Sequence, residues 1–134
     1  MRLAVELGCD LVEFDVHDLD GTLVVVHDRP EAGATGLPTL DEALAFLAGT
    51  DAGVHLDLKV RGAASAVANA LRRQGLVERT LVSSFRSDVL REVGAAERGV
   101  RLGLTYPGDP TGLAHQPWAR PLVRASLAAL KASF

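Results

Sequence analysis

Leu11-Val12-Glu13-Phe14-Asp15-Val16-His17 opens the stretch that decides the fold, and the chain continues through Asp20-Gly21 to Thr22-Leu23-Val24-Val25-Val26-His27-Asp28. The first seven residues alternate with period two. Val12, Phe14 and Val16 therefore share one face of a strand, and Glu13, Asp15 and His17 share the other. Carboxylates at i and i+2 on a strand point the same way, about 7 Å apart. A solvated edge tolerates that pair, whereas a buried face needs a cation or a shared proton between them. Asp20-Gly21 supplies a tight turn, and the β-branched run after it ends in His27-Asp28. The unit reads as a hairpin carrying two acids and an imidazole on short, rigid supports.

The remaining composition sets bounds. A chain of 134 residues is one domain's worth and long enough to bury a core. Hydrophobic residues at 48% with 23% charged describe an ordinary globular protein rather than a disordered one. A net charge of −3, with lysines and arginines scattered, points away from nucleic acid. Cys9 is the single cysteine, so neither an internal disulfide nor a cysteine-rich zinc site is expected, and it reads as a small buried residue. No apolar run approaches the ~20 residues of a membrane span. Glu6 and Asp10 interrupt any signal-peptide pattern. A cytoplasmic protein without stable membrane insertion is the expectation.

Along the chain, residues 2–8 read as the end of a helix with Leu3, Ala4 and Leu7 apolar and Gly8 as its stop. Thr39 and Glu42 have the spacing of a capping box ahead of a helix through Leu40, Ala43, Leu44 and Leu47. Val54 to Val60 alternates again, with His55, Asp57 and Lys59 sharing one face. A helix over 64–74 ends at Gly75, a short strand follows over 80–84, a helix over 86–96, and a fourth strand over 100–105. Residues 106–119, with His115 and Trp118, read as a long loop, and Pro121 as the start of a last helix.

Strands alternating with helices predict an α/β fold with a parallel sheet. Two strands carry charge on one face, which suits a (β/α)₈ barrel whose mouth holds a site better than a doubly wound sheet, and no Gly-rich turn follows the first strand. About four βα units are present, against the roughly 250 residues of a complete barrel. The expectation is a partial TIM (β/α)₈ barrel, residues 1–134 forming one truncated domain. Its open edges would favour aggregation or a homo-oligomer.

The ordered pieces Glu13-Phe14-Asp15-Val16, Asp20-Gly21, Val26-His27-Asp28, Pro38-Thr39-Leu40, Asp57-Leu58-Lys59 and Ser83-Ser84-Phe85 resemble the glycerophosphodiester phosphodiesterases across residues 1 to about 105. The resemblance implies a metal-dependent (β/α)₈ barrel that hydrolyses small glycerophosphodiesters to glycerol 3-phosphate and an alcohol. It implies Glu13, Asp15 and Asp57 as metal carboxylates, Asp57 standing where Glu is commoner. It also implies His27 as a catalytic histidine and Lys59 as a residue near the phosphate. Three hard oxygen donors suit Ca²⁺ or Mg²⁺ better than zinc. The family's opening His-Arg-Gly strand and its Pro-Glu-Asn segment have no counterpart after Met1, the turn before Gly21 is one residue shorter than usual, and later strands find no match beyond Thr105. Two further readings stand beside hydrolysis: a non-catalytic chain that binds only a divalent ion or phosphate, and a phosphodiesterase of the same fold acting on another phospholipid-type diester.

Each residue also has a plainer reading. Glu13 and Asp15 alone would be a solvated strand face, and Asp57 with Lys59 on a second strand argues against that. Lys59 can neutralise Asp57 or Glu13 as an ion pair while also serving phosphate. His17 reads as a neighbour of the metal or a structural group, and His55 as a satisfied interior residue. Ser83 and Ser84 read as the end of a strand and a cap for the next helix.

Overall fold

The computed structural model describes residues 1–105. Strand β1 (Leu11–Leu19) runs into β2 (Thr22–Val25) through Asp20 and Gly21. Their φ values of 52° and 85° are those of a type I′ turn, which matches the twist of a hairpin. The Asp18 carboxylate accepts the Gly21 N–H at 3.2 Å and braces the turn. With two loop residues the register is fixed, Leu19 opposite Thr22 and Val16 opposite Val25.

Three crossovers follow. Helix α2 (Leu40–Ala48) leads to β3 (Gly53–Leu58), α3 (Ala64–Gln74) to β4 (Thr80–Ser84), and α4 (Ser87–Ala96) to β5 (Arg101–Leu104). Among the described residues the sheet order is β2-β1-β3-β4-β5, with only the β1–β2 strand pair antiparallel. Four parallel strands, three of them followed by helices, make an α/β partial barrel, as the alternation predicts. A short helix α1 (Arg2–Glu6) precedes β1.

Local chemistry explains the boundaries. The Thr39 hydroxyl accepts the Glu42 N–H, and the Glu42 carboxylate accepts the Thr39 N–H at 2.8 Å, so the expected capping box forms. Hydrogen bonding to the Thr39 N–H, and then to its hydroxyl, holds the Glu42 carboxyl below its ordinary value. Gly75 closes α3 at φ 66°, a conformation that costs glycine little.

The core lies between the sheet's outer face and the helices. Val16, Val54, Leu56, Leu58 and Val82 meet Leu44, Leu47, Val67, Leu71 and Val93, all fully buried. Burial at about 2 kcal/mol per side chain makes this face the main determinant of register. The other face carries the polar residues of β1 and β3.

Some expectations change. Cys9 is exposed, not buried. Helix α1 ends at Glu6, and Leu3 and Leu7 face solvent rather than a core. The β2 edge is partly covered, because Val25 N–H donates to the Pro38 carbonyl at 2.8 Å and Val24 bridges Thr39. Leu102 and Leu104 on β5 are exposed. The expected loop over 106–119, the helix after Pro121, and His115 and Trp118 lie outside the described residues. No helix among the described residues is long and apolar enough to cross a membrane.

Candidate metal and phosphate site

Parallel pairing of β1 with β3 sets Glu13 beside His55 and Asp15 beside Asp57. Partners in register point to the same face, so the two aspartates lie side by side on the sheet face turned away from the helices. Glu13, Asp15 and Asp57 each offer a carboxylate oxygen, and these atoms lie within 4.8 Å of one another. Asp15 and Asp57 are buried, while Glu13 is exposed. Buried like charges at this separation require compensation.

Lys59 supplies part of it. β3 ends at Leu58, but the Lys59 N–H still donates to the Val16 carbonyl at 3.0 Å, which holds the lysine beside β1. Its Nζ donates to Asp57 Oδ2 at 2.6 Å and lies 2.9 Å from Asp15 Oδ1. Burial, the largest single influence, lowers the lysine's pKa. Hydrogen bonds and attraction from Asp57 and Asp15 together outweigh it, and the net direction is upward. Lys59 is therefore a permanent cation at neutral pH.

His27 arrives by the return of the hairpin. Two residues beyond the Val16–Val25 pair, the antiparallel chain has carried it back down to the level of the carboxylates. Its Nδ1 lies 3.1 Å from Asp15 Oδ2, and its side chain is 91% exposed. An ionised carboxylate only accepts, so Nδ1 bears the proton in this contact and Nε2 is left for chemistry. Asp15 is thus engaged at both oxygens. Asp57 Oδ1, in contrast, is buried without a hydrogen-bond partner among the described residues. An unpartnered anionic oxygen beside two further carboxylates is the donor arrangement that a hard divalent cation satisfies. The carboxylates of Glu13, Asp15 and Asp57 fit such an ion in donor type and spacing.

The surroundings of the other sequence candidates differ. His55 Nε2 pairs with Ser83 Oγ at 2.8 Å, so it is a satisfied interior group as expected. Ser84 is fully buried; its hydroxyl donates to the Leu58 carbonyl at 2.7 Å and accepts the Arg86 N–H at 3.2 Å. It ties the ends of β3 and β4 together. Neither serine caps α4, whose N-cap residue is Arg86. His17 keeps a buried Nε2 that has no hydrogen-bond partner among the described residues. Beside Lys59 opens a cavity of about 590 Å³ lined by His17, Arg29, Lys59, Arg61, Phe85 and Arg86 among others. The three arginines escape a sequence reading because they lie in loops after different strands. Their position just past strand ends is the only available signal.

No family model and no curated protein matches the chain. Solved structures do. A glycerophosphodiester phosphodiesterase from Agrobacterium tumefaciens superposes with a TM-score of 0.65 at 26% identity, over 75% of this chain and 56% of that one. A glycerophosphodiester phosphodiesterase from Parabacteroides distasonis gives 0.66 at 26%, over 75% and 54%. The chain fits the glycerophosphodiester phosphodiesterase family. It spans little more than half the length of these two relatives. A phosphodiesterase from Oleispira antarctica, solved with the product sn-glycerol-3-phosphate, shares the fold with a TM-score of 0.66 at 23% identity, over 92% of this chain and 63% of that one.

Proposed function

We propose that this chain belongs to a metal-dependent phosphoric diester hydrolase that cleaves glycerophosphodiesters to glycerol 3-phosphate and an alcohol. The observation that carries the reading is the convergence of Glu13, Asp15 and Asp57 with Lys59 and His27 attached to the same acids. Ca²⁺ or Mg²⁺ fits the all-oxygen donor set. When bound, such an ion attracts phosphate oxygens and offsets the charge that builds on them during displacement. Lys59 adds a fixed cation on the same side of the phosphate, preorganised by two aspartates. Asp15 orients His27 through its Nδ1–H. In the imidazolium form the ring carries a second proton on Nε2, which passes to the departing alkoxide as the phosphorus–oxygen bond breaks, while the attacking water releases a proton to solvent. The attacking group is water, so the products are one phosphomonoester and one alcohol. The sn-glycerol-3-phosphate held as product in the Oleispira antarctica phosphodiesterase structure supports glycerol 3-phosphate as that monoester.

Binding of ion and phosphate without turnover is a second reading. It is favoured by the near-complete exposure of His27, which rests on a single hydrogen bond to the site. One experiment separates the two. Glycerol 3-phosphate release from glycerophosphoinositol is followed with Ca²⁺ or Mg²⁺ and with chelator, for the parent protein, His27→Ala and Asp57→Asn, alongside metal titration by calorimetry. Hydrolysis predicts metal-dependent release lost in both variants, with metal affinity lost only in Asp57→Asn. Metal affinity without release in the parent establishes the binding reading. No metal affinity in the parent defeats both.

A further inference from the structure

The mouth of the site holds more positive charge than a single phosphodiester requires. Lys59 is committed to Asp15 and Asp57. Arg29, Arg61 and Arg86 line the same cavity, against one lining carboxylate, Asp18, which already accepts the Gly21 N–H. Arg61 and Arg86 share one partner, Asp88, at 2.8 Å and 3.4 Å. Arg29 is in no ion pair among the described residues. His17 Nε2 is buried there without a hydrogen-bond partner among the described residues, and Arg86 Nε is buried with only its 3.4 Å ion-pair contact to Asp88. Guanidinium groups are weakly hydrated and present forked donors that match phosphate, and here their number exceeds the carboxylates that would satisfy them.

Resting on the diesterase reading above, we propose that Arg29 and Arg61, with Arg86 behind them, form a second anion subsite that selects glycerophosphodiesters whose alcohol portion carries a further phosphate. The reacting phosphodiester lies over the carboxylate cluster and Lys59. The alcohol portion extends into the cavity, where its own phosphate meets the arginines. A quaternary ammonium head group in the same place meets like charge, so diesters of choline are the poorer ligands.

The test is calorimetric binding to the full chain with Mg²⁺, in a His27→Ala background that holds back turnover. The probes are glycerophosphoinositol and glycerophosphoinositol 4-phosphate, which differ by one phosphate. Arginine–phosphate contacts at a partly exposed rim predict a preference of about tenfold for the phosphorylated probe. Arg29→Gln with Arg61→Gln is expected to bring that ratio close to one, and both side chains are exposed enough for the change to leave the fold intact. Arg86 is left in place because it starts α4. Raising the salt from 0.05 to about 0.5 M should shrink the preference in the parent. A ratio near one in the parent, or a preference that survives the double substitution, overturns the proposal. Lys59→Met distinguishes the underlying reading. If it weakens both probes equally, the diester site stands whatever becomes of the arginines. If it moves neither while the arginine variant does, the diester reading fails and the anion subsite alone remains. Absence of binding by both probes overturns both.

Discussion

Replacing Lys59 by Met removes the one ammonium that bridges Asp15 and Asp57, and the consequences for stability and metal affinity have opposite signs. The two aspartate side chains are about one-tenth exposed and occupy neighbouring register positions. Adjacent strands lie about 4.8 Å apart, so two carboxylates there repel by roughly 3 kcal/mol at an effective dielectric constant of 20. The Lys59 side chain is 29% exposed, so water recovers part of what the ammonium contributes. A net loss of about 2 kcal/mol is expected in metal-free protein, near 8 °C in Tm at about 4 °C per kcal/mol. Met keeps most of the aliphatic stem, so lost packing adds little. In the variant an added divalent ion meets three carboxylates with no competing ammonium. Added Ca²⁺ should therefore raise Tm further in Lys59→Met than in the parent, restoring most of the difference. Metal-loaded turnover should nevertheless fall by about 10²-fold, since the cation facing the phosphate is gone. Thermal melts with chelator and with Ca²⁺ test this directly. A variant as stable as the parent, to within about 0.5 kcal/mol, and no more responsive to Ca²⁺ would refute the account of Lys59 as the internal counter-ion of the cluster.

The same lysine predicts a pH effect. Its pKa is raised above the ordinary 10.5, so its contribution is fully present below that value and is lost as pH rises through the raised one. Denaturation curves should show no Lys59-dependent change between pH 7 and 9, and parent and Lys59→Met should converge only in strong alkali. Gly21→Ala should cost about 1 kcal/mol, because φ is 85° and there is open space around the new methyl group; it should also shift the His27 ring resonances, whose place depends on that turn. Thr39→Ala, which removes the hydroxyl from the capping box, should cost about 1 kcal/mol in urea denaturation. For Glu42→Ala the gap from the parent should be widest above pH 4.5 and narrow as pH falls through the lowered value of the Glu42 carboxyl. A gap that widens with acid would contradict that assignment.

The features legible in the sequence are those whose causes are local. Alternation in Val12-Glu13-Phe14-Asp15-Val16 shows which residues share a face, and the sheet keeps that division. Asp20-Gly21 has one comfortable geometry between strands, and Thr39 with Glu42 another at a helix start. Helix α3 ends at Gly75 as read, because a left-handed residue is needed there. What remained hidden depends on neighbours distant in sequence. Cys9 looks apolar enough to bury, yet α1 leaves it in solvent. Ser84 has the profile of a cap, but the Leu58 carbonyl 26 residues away claims its hydroxyl. Arg86 meets Asp88 locally, two residues away, but Arg61 follows a different strand, and the parallel order β3-β4 is what brings it to the same carboxylate. His27 is visible as a strand-end histidine. Its attachment to Asp15 follows from counting the hairpin register, which requires the turn length to be known.

The charged cluster also explains why core packing and site geometry cannot vary independently. Across the sheet, the row Asp15, Asp57, Ser83, Gly103 falls from two carboxylates to a hydroxyl and then to no side chain. Charge is thus concentrated at the seam between β1 and β3, and β2 returns His27 to that same seam. The seam's register is set from behind, by Val16, Leu56 and Leu58 packed beneath α2 and α3. A slip of one residue would turn Asp57 toward the helices and Leu56 or Leu58 toward the mouth. It would bury an ionised carboxylate among leucines, a penalty of several kcal/mol, and expose a side chain worth about 2 kcal/mol. The apolar face therefore enforces the pairing of Asp15 with Asp57 far more strongly than the ion pair through Lys59 could. Their mutual repulsion is tolerated because the core will not let them separate, and that constrained repulsion keeps the pair available to a cation.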